Sequence, residues 1–273
     1  MCQGRVRYRA GLKPGLILVA CVMAICAGSL SAQPQQSDPA QDPSALPPIS
    51  REQLYQLRTD WANLKRFHAD DVALQAPAAD EKRVVFMGDS ITELWLRNGV
   101  PPGSTTPGFF PGKHYINRGI SGQTTPQMLI RFRPDVIDLK PRAVVILAGI
   151  NDIAGNTGDM TLEQTEENLA SMAELAQANG IRVVMCSILP AFDFPWRPGR
   201  EPAPKVIALN SWIKAYAAQH GHIYVDFYSA MVDERGGLPT KLSGDGVHPS
   251  KAGYDIMNPL VEAGIEKALA GTK

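Results

Sequence analysis

Cysteine is scarce in this sequence, and its scarcity excludes a scaffold held together by disulfides. The 273 residues include four cysteines, and three of them, Cys2, Cys21 and Cys26, lie near the N-terminus. The fourth, Cys186, lies in an apolar run at 181–189. Disulfide-rich domains need several paired cysteines, so a hydrophobic core must stabilise this chain. Apolar neighbours also disfavour a reactive thiolate, and we interpret Cys186 as a small core residue.

The sequence also lacks an excess of charge and the common cofactor motifs. Its 27 basic and 27 acidic residues give a formal net charge of zero, which does not indicate a nucleic-acid-binding protein. There is no P-loop and no glycine-rich dinucleotide motif, and the nucleophile elbow of α/β-hydrolases does not occur at Ser90. His220-Gly221-His222 has no third ligand at a recognisable spacing, so we expect a helix that ends before a strand there. Neither a metal nor a cofactor is expected.

The first 32 residues have the pattern of a secretory signal peptide. A basic segment precedes an apolar stretch at 15–27 and small residues that end at Ala32. The apolar stretch is too short for a comfortable membrane span, so we expect cleavage after Ala32 and export to the periplasm or medium. A lipoprotein box at 18–21, with Cys21 as the anchor, and an uncleaved anchor are the alternatives. Removing the four basic residues of this segment would leave 23 basic and 27 acidic residues.

Residues 33–49 are rich in Pro, Gln and Ser and are predicted to be a disordered linker. A helix is predicted from a cap at Ser50 to about residue 74. Its apolar residues recur at spacings of three and four, which gives a single stripe: Leu54, Leu57, Trp61, Leu64 and Phe67. We expect this stripe to pack on the domain's own core, with a partner-binding helix as the alternative.

From residue 83 the pattern repeats as strand, turn and helix. Strands are predicted at 84–87, 115–117, 143–147, 181–188 and 222–227, and helices at 161–179, 204–219 and 250–270. Thr161 and Gln164 form a capping box at the start of the long helix, and Gly180 ends it. Continuous apolar strands that alternate with helices indicate an α/β domain over 50–273, with a parallel sheet of about five strands and helices on both faces.

Two loops dense in Pro and Gly interrupt this pattern. The loop at 98–113 carries Phe109 and Phe110, and the loop at 191–204 carries Phe192, Phe194 and Trp196. Long loops in compact domains are usually functional or disordered. The aromatic residues are therefore expected to line a pocket, although they would also serve to cover the edge of the sheet.

Polar residues follow the predicted strands at the positions where α/β folds place their sites. They are Gly88-Asp89-Ser90, Asn117 to Gly122, Gly149 to Asp152, and Asp245 to His248 before the last helix. Each group alone would suit an ordinary turn. Together they supply the parts that acyl transfer needs. Ser90 would be the nucleophile, His248 the base, and Asp245 the acceptor that orients the histidine. The N–H groups of Ser90 and Gly122 and the side-chain amide of Asn151 would stabilise an oxyanion.

This ordered set resembles the SGNH (GDSL-type) hydrolase family, which is named after Ser, Gly, Asn and His in four successive blocks. The matching residues are Ser90 in GDSIT, Gly122 in NRGISGQ, Asn151 in GIND and His248 in DGVH. Ile91 stands where the name of the family has Leu. The resemblance implies a three-layer flavodoxin-like α/β fold and ester hydrolysis without a metal. The NRGISG block is similar to that of the branch resembling platelet-activating-factor acetylhydrolases and lysophospholipase-like bacterial esterases.

The sequence therefore predicts a serine esterase that acts on small acyl esters, with an O-acetylated carbohydrate as the favoured substrate. A lysophospholipase or short-chain lipase is the alternative, and a non-catalytic carbohydrate-binding protein on the same fold is an alternative of another class. Asp89, Phe109, Phe110 and Trp196 are candidate substrate contacts, although Asp89 is expected to brace its turn, with Asp245 as the working carboxylate. The expected partner is a small-molecule or carbohydrate ester, with no nucleic acid and no membrane span after signal cleavage.

Overall fold

The computed structural model describes residues 49–95 and 109–270. The predicted signal peptide, nearly all of the linker and most of the loop at 98–113 lie outside the described residues. Among the helices described, none is long and apolar enough to cross a membrane.

Five parallel strands form one central sheet in the order β2-β1-β3-β4-β5. Their bounds are β1 Val84–Gly88, β2 Tyr115–Gly119, β3 Ala143–Leu147, β4 Arg182–Cys186 and β5 Ile223–Val225. All five residues of β1 and of β3 are buried, as expected for inner strands covered on both faces. Gly88 pairs with Gly119 on one side and with Leu147 on the other, so these three strands end at one level. The predicted sheet is confirmed.

Helices cover both faces of the sheet. Their bounds are α1 Arg51–Thr59, α2 His68–Ala73, α3 Ser90–Leu94, α4 Thr125–Asp135, α5 Ile150–Ala154, α6 Leu162–Ala178, α7 Pro202–His220, α8 Tyr228–Met231 and α9 Lys251–Ala270. Helix α6 begins with the predicted capping box, and α7 ends directly before β5, as predicted for the His220–His222 segment. Helices α4, α6 and α7 form consecutive contacts along one face, and α9 crosses β3, β4 and β5 on the other.

The last helix is joined to the first strand-helix unit by two hydrogen bonds. The Tyr254 hydroxyl donates to the carbonyl of Ile91 (2.6 Å), and the Trp95 indole N–H donates to the Asn258 amide oxygen (2.7 Å). Tyr254 and Trp95 are both buried. Helix α9, which directly follows His248, is therefore fixed against the helix that begins at Ser90.

The single helix predicted at 50–74 is wrong, because the segment forms two short helices. The Asp60 carboxylate accepts the main-chain N–H groups of Leu64 (2.7 Å) and Lys65 (3.0 Å), and Asn63 adopts a left-handed conformation with φ of 56°. A side chain that binds nearby N–H groups competes with helical hydrogen bonding, which explains the break after Thr59. The cap at Ser50 is confirmed, since its hydroxyl accepts the N–H of Gln53 (3.1 Å).

The predicted burial of the apolar stripe is also wrong. Helix α1 has no buried residue, and only Phe67 of the five stripe residues is buried. Side-chain amides instead attach the segment to the α/β domain, because Gln127 donates to the carbonyl of Trp61 and Gln123 to that of Ala62 (both 2.8 Å). An ion pair between Arg118 and Asp71 adds a second attachment. The apolar side chains of α1 therefore stay at the surface.

Cys186 is buried at the end of β4, as predicted, and burial raises the pKa of its thiol. Among the residues that the structure describes, no three His, Cys, Asp or Glu side chains cluster so that they would hold a metal ion.

Candidate active site

Ser90 lies at the turn between β1 and α3, and its hydroxyl faces His248. The Ser90 Oγ is 2.9 Å from the His248 Nε2, although 158 residues separate the two in sequence. Ser90 is the first residue of α3 and is 8 % exposed. Gly88 makes this turn possible, because a Cβ there would lie 2.8 Å from the carbonyl oxygen of Leu147 on the neighbouring strand. The structure thus brings together the predicted nucleophile and base.

Asp89 braces the turn and does not face a substrate. It is 1 % exposed, and its carboxylate caps α3 by accepting the N–H of Ile91 (2.9 Å). Burial raises the pKa of Asp89 to about 7. A carboxylate enclosed in this way cannot contact a bound ester, so the candidate substrate contact at Asp89 is corrected. The expected role of Asp89 in bracing the turn agrees with its cap on α3.

The raised pKa of Asp89 makes folding stability depend on pH. The folded chain binds a proton here at pH values where the unfolded chain, with an ordinary carboxyl pKa near ~4, has lost it. The free energy of unfolding should therefore fall as pH rises from about 4 to about 7. Asp89→Asn keeps an acceptor for the Ile91 N–H and carries no charge. We expect Tm of this variant, relative to wild type, to rise by several degrees between pH 5 and pH 8, since roughly 3 kcal/mol is involved.

Thermal unfolding at the two pH values tests this expectation. Asp226→Asn is a matched control, because Asp226 also accepts a main-chain N–H, from Ser229 (2.9 Å), but lies at a more exposed position. Equal pH slopes for Asp89→Asn and wild type would contradict the proposed cost of ionising Asp89.

His248 and Asp245 belong to one compact loop before α9. The His248 Nδ1 lies 2.6 Å from the Asp245 Oδ2. The other carboxylate oxygen, Oδ1, accepts the main-chain N–H groups of Val247 (2.9 Å) and His248 (2.8 Å) and the hydroxyl of Ser243 (3.1 Å). Burial alone would raise the pKa of Asp245, but these hydrogen bonds outweigh burial and lower it to about 2. Asp245 is therefore ionised throughout the neutral range and fixes the orientation of the histidine ring.

The predicted oxyanion groups follow β2 and β3, the two strands that flank β1. Gly122 has φ of 77°, a conformation that favours glycine. The Asn151 side chain is buried, and its Nδ2 donates to the carbonyl of Gln123 (3.0 Å). One of the two amide hydrogens of Asn151 is used in this way, and within the described residues the other has no acceptor and is available to a ligand. The loops after three adjacent strands thus surround the same end of the sheet.

Asn156 joins the two oxyanion loops and was not predicted from the sequence. Its side-chain Nδ2 donates to the Asn151 Oδ1 (2.9 Å) and to the carbonyl of Gly122 (3.1 Å). This residue fixes the position of both predicted donors and holds the Asn151 amide in one orientation. The sequence contains only a weak indication of this role, because Asn156 follows the GIND block in an ordinary turn.

Two buried ionisable side chains, Asp152 and Arg131, form hydrogen bonds to the elements that carry the site residues. Asp152 accepts the main-chain N–H (3.1 Å) and the hydroxyl of Thr125, which ties α5 to the start of α4, and burial raises its pKa. Arg131, fully buried and also missed by the sequence analysis, donates to the carbonyl of Gly88 (3.0 Å) and to the Asp135 carboxylate (2.8 Å). Because Asp152 directly follows Asn151, its bonds to Thr125 also fix the turn that positions Asn151.

The aromatic residues of the two loops have different surroundings. Trp196 is partly exposed, and its ring centroid lies 6.0 Å from that of His248, with the buried Phe194 5.3 Å behind it. Phe109 is buried against Phe86 with centroids 4.8 Å apart. Phe110 stacks on the same ring at 5.6 Å. The substrate contact predicted for Phe109 is therefore corrected, because its ring is buried against the sheet. Phe110, which is only partly buried, and Trp196 remain candidates.

Comparisons with known proteins agree with this arrangement. Residues 86–256 match the GDSL-like lipase/acylhydrolase family. The chain is 49 % identical to a GDSL-like lipase of Bacteroides thetaiotaomicron, whose crystal structure superposes with a TM-score of 0.72 over 77 % of this chain and 100 % of that one.

Two curated enzymes are also similar. One is the esterase TesA of Pseudomonas aeruginosa, 36 % identical over 50 % of this chain, which spans 62 % of that esterase's length. The other is an acetylxylan esterase of Geobacillus stearothermophilus, 26 % identical over 64 % of this chain and 90 % of that enzyme. The chain therefore belongs to the GDSL-like lipase/acylhydrolase family and is a carboxylic ester hydrolase.

Proposed function

We propose that this hydrolase cleaves acetyl esters of carbohydrates through a triad of Ser90, His248 and Asp245. The observation that carries the triad is its continuous hydrogen-bonded chain, with 2.9 Å from Ser90 Oγ to His248 Nε2 and 2.6 Å from His248 Nδ1 to Asp245 Oδ2. Nucleophile, base and orienting carboxylate thus stand in the order that acyl transfer requires.

The reaction begins when Ser90 Oγ bonds to the ester carbonyl carbon and its proton passes to His248 Nε2. Asp245 stabilises the imidazolium through Nδ1. The oxyanion accepts hydrogen bonds from the Ser90 N–H, the Gly122 N–H and the Asn151 amide. When it collapses, the carbon–oxygen bond to the alcohol breaks and His248 protonates the leaving oxygen. Water, deprotonated by His248, then attacks the acyl-enzyme, and Ser90 recovers its proton as the carboxylic acid leaves.

Three observations support a carbohydrate as the alcohol part of the ester. Trp196 presents a partly exposed ring close to His248, which is where the leaving alcohol must be protonated, and flat aromatic faces suit the apolar faces of sugars. The similar Geobacillus enzyme is an acetylxylan esterase. The signal peptide predicted at 1–32 would in addition bring the enzyme into contact with extracytoplasmic polysaccharides.

A series of 4-nitrophenyl esters from acetate to decanoate, run beside acetylated xylan and lysophosphatidylcholine, tests the substrate class. We expect kcat/KM to fall steadily beyond propionate and acetate to be released from acetylated xylan. A preference for octanoate or decanoate, or faster hydrolysis of lysophosphatidylcholine than of acetylated xylan, would support the lysophospholipase or short-chain lipase alternative. Absence of turnover on every ester would support the non-catalytic binding protein.

A further inference from the structure

A cavity of about 280 Å³ lies between helix α1 and the loop that carries Gly122. We propose that this cavity, named here the α1 subsite, binds an uncharged sugar ring of the acetylated substrate. Gln53, Gln56, Leu57, Trp61 and Asn63 line one side of it, and Gly122 and Asn156 line the other. The inference rests on the proposed carbohydrate esterase function and assigns a recognition role to a segment outside the family match at 86–256.

The position of the α1 subsite connects it to the reaction centre. Gly122 is a proposed oxyanion donor, and Asn156 holds both Gly122 and Asn151 through its side-chain amide. A ligand in the cavity therefore contacts the groups that place the ester carbonyl. Because Gly122 lines the cavity and is also a proposed oxyanion donor, we infer that a substrate whose acetyl group is at Ser90 reaches the subsite with a neighbouring sugar ring. The volume of the cavity lies near the lower end of small-molecule pockets, roughly 300 Å³, which suits one ring.

The lining of the subsite selects for a neutral, polyhydroxylated ligand. Among the described residues that line it, none carries a charge, and most are amides, hydroxyls or apolar side chains. Within the described part of the chain, no hydrogen bond engages the side-chain amides of Gln56 and Asn63 or the Oδ1 of Asn156, so these groups are free to bind hydroxyls. Trp61 is 38 % exposed, which leaves part of its indole for stacking. A zwitterionic lipid headgroup would find no opposite charge here.

The subsite is fixed in place by the α/β domain. The carbonyls of Trp61 and Ala62 accept hydrogen bonds from the side chains of Gln127 and Gln123, which are themselves buried. The Gln127 Oε1 also accepts the N–H of Thr124 at the start of α4 (3.1 Å). Because the main chain at 61–62 is anchored at both carbonyls, the Trp61 side chain extends from a rigid position.

The test compares Trp61→Ala and Gln56→Ala with wild type on two substrates, acetylated xylo-oligosaccharides and 4-nitrophenyl acetate. The first substrate reaches the subsite and the second does not. We expect the ratio of kcat/KM for the oligosaccharide to that for 4-nitrophenyl acetate to fall about tenfold in each variant, mainly through KM, as loss of one good contact implies. Gln56→Ala favours the helix, so its effect does not depend on misfolding. Val72→Ala, an exposed apolar residue of α2 outside the subsite, is the matched control and should keep the wild-type ratio.

An unchanged ratio in Trp61→Ala and Gln56→Ala would overturn the subsite. So would a wild-type enzyme that hydrolyses 4-nitrophenyl acetate but no acetylated oligosaccharide, an outcome that leaves the triad intact. Full activity in Ser90→Ala would show separately that the proposed triad is wrong. If the triad is wrong, calorimetric titration of wild type and Trp61→Ala with xylotriose shows whether the α1 subsite binds a sugar. Binding that Trp61→Ala abolishes supports the subsite, and equal binding or none in either protein overturns it.

Discussion

Ser90→Ala is expected to lower kcat for 4-nitrophenyl acetate by about 10⁴- to 10⁶-fold, the loss seen when a serine nucleophile is removed. The substitution removes the hydroxyl oxygen that stands 2.9 Å from the His248 Nε2. It leaves the Ser90 main-chain N–H, the predicted oxyanion groups and the cap at Asp89 in place. Alanine is also a good residue for the first turn of α3, so Tm should change little. The loss of rate would therefore report chemistry and not unfolding.

Steady-state kinetics and covalent labelling by a fluorophosphonate measure this effect together. Wild type should be labelled at Ser90, and Ser90→Ala should not be labelled. Ser211→Ala is the control, because Ser211 lies on the exposed side of α7, where its hydroxyl donates to the carbonyl of Ile207 (2.9 Å), and it should retain both activity and labelling. Activity of Ser90→Ala within tenfold of wild type would refute the proposed mechanism.

Asp245→Asn should reduce kcat by about 10⁴-fold, because it forces the wrong tautomer on His248. The asparagine Oδ1 can still accept the main-chain N–H groups of Val247 and His248, so the loop keeps its shape. The new Nδ2 donates toward the His248 Nδ1, whereas in wild type the Asp245 Oδ2, 2.6 Å from the same nitrogen, accepts a hydrogen bond from it. The ring must then carry its hydrogen on Nε2. That nitrogen can no longer accept the proton of Ser90.

Asp245 is ionised at every pH between 5 and 7, because the hydrogen bonds to its carboxylate lower its pKa to about 2. A loss of wild-type activity on acidification in this range therefore does not report protonation of Asp245. Asp233→Asn is a matched control. Asp233 also accepts two main-chain N–H groups with Oδ1, those of Arg235 (2.9 Å) and Gly237 (2.8 Å), and has no histidine partner. Comparable rates in Asp245→Asn and Asp233→Asn would exclude a tautomer-fixing role for Asp245.

The sheet and the order of the site residues could be predicted because the sequence patterns of single strands and helices agree with the way in which these elements pack. Strands buried on both faces must be continuously apolar, and the long helix α6 has its own capping box. The carboxyl ends of parallel strands meet at one edge, so Ser90, Gly122 and Asn151 could be grouped without a structure. The loop from Asp245 to His248 could be predicted because three residues suffice for a carboxylate to reach the ring.

The remaining features depend on contacts that no local pattern contains. Asp60 ends the first helix because its carboxylate binds main-chain N–H groups. Aspartate residues on the surface of a helix often leave the helix intact, so the sequence alone does not indicate this break. The exposed stripe of α1 had the spacing of a core helix, and only the anchoring of Trp61 and Ala62 shows which surface it faces. Asn156 acts through two acceptors that lie 5 and 34 residues away in sequence. Phe109 and Phe110 pack on Phe86, a partner that their own loop does not indicate.

The attachment of α9 to α3 through Tyr254 and Trp95 has a consequence for the order of folding. The contact closes a loop of more than 150 residues, and long-range closure of this kind is slow because chain entropy opposes it. A folding intermediate that has formed β1, β2 and β3 would carry the proposed nucleophile and oxyanion groups without the proposed base. Esterase activity should therefore emerge only when the C-terminal helix docks, which makes turnover a direct measure of complete tertiary structure.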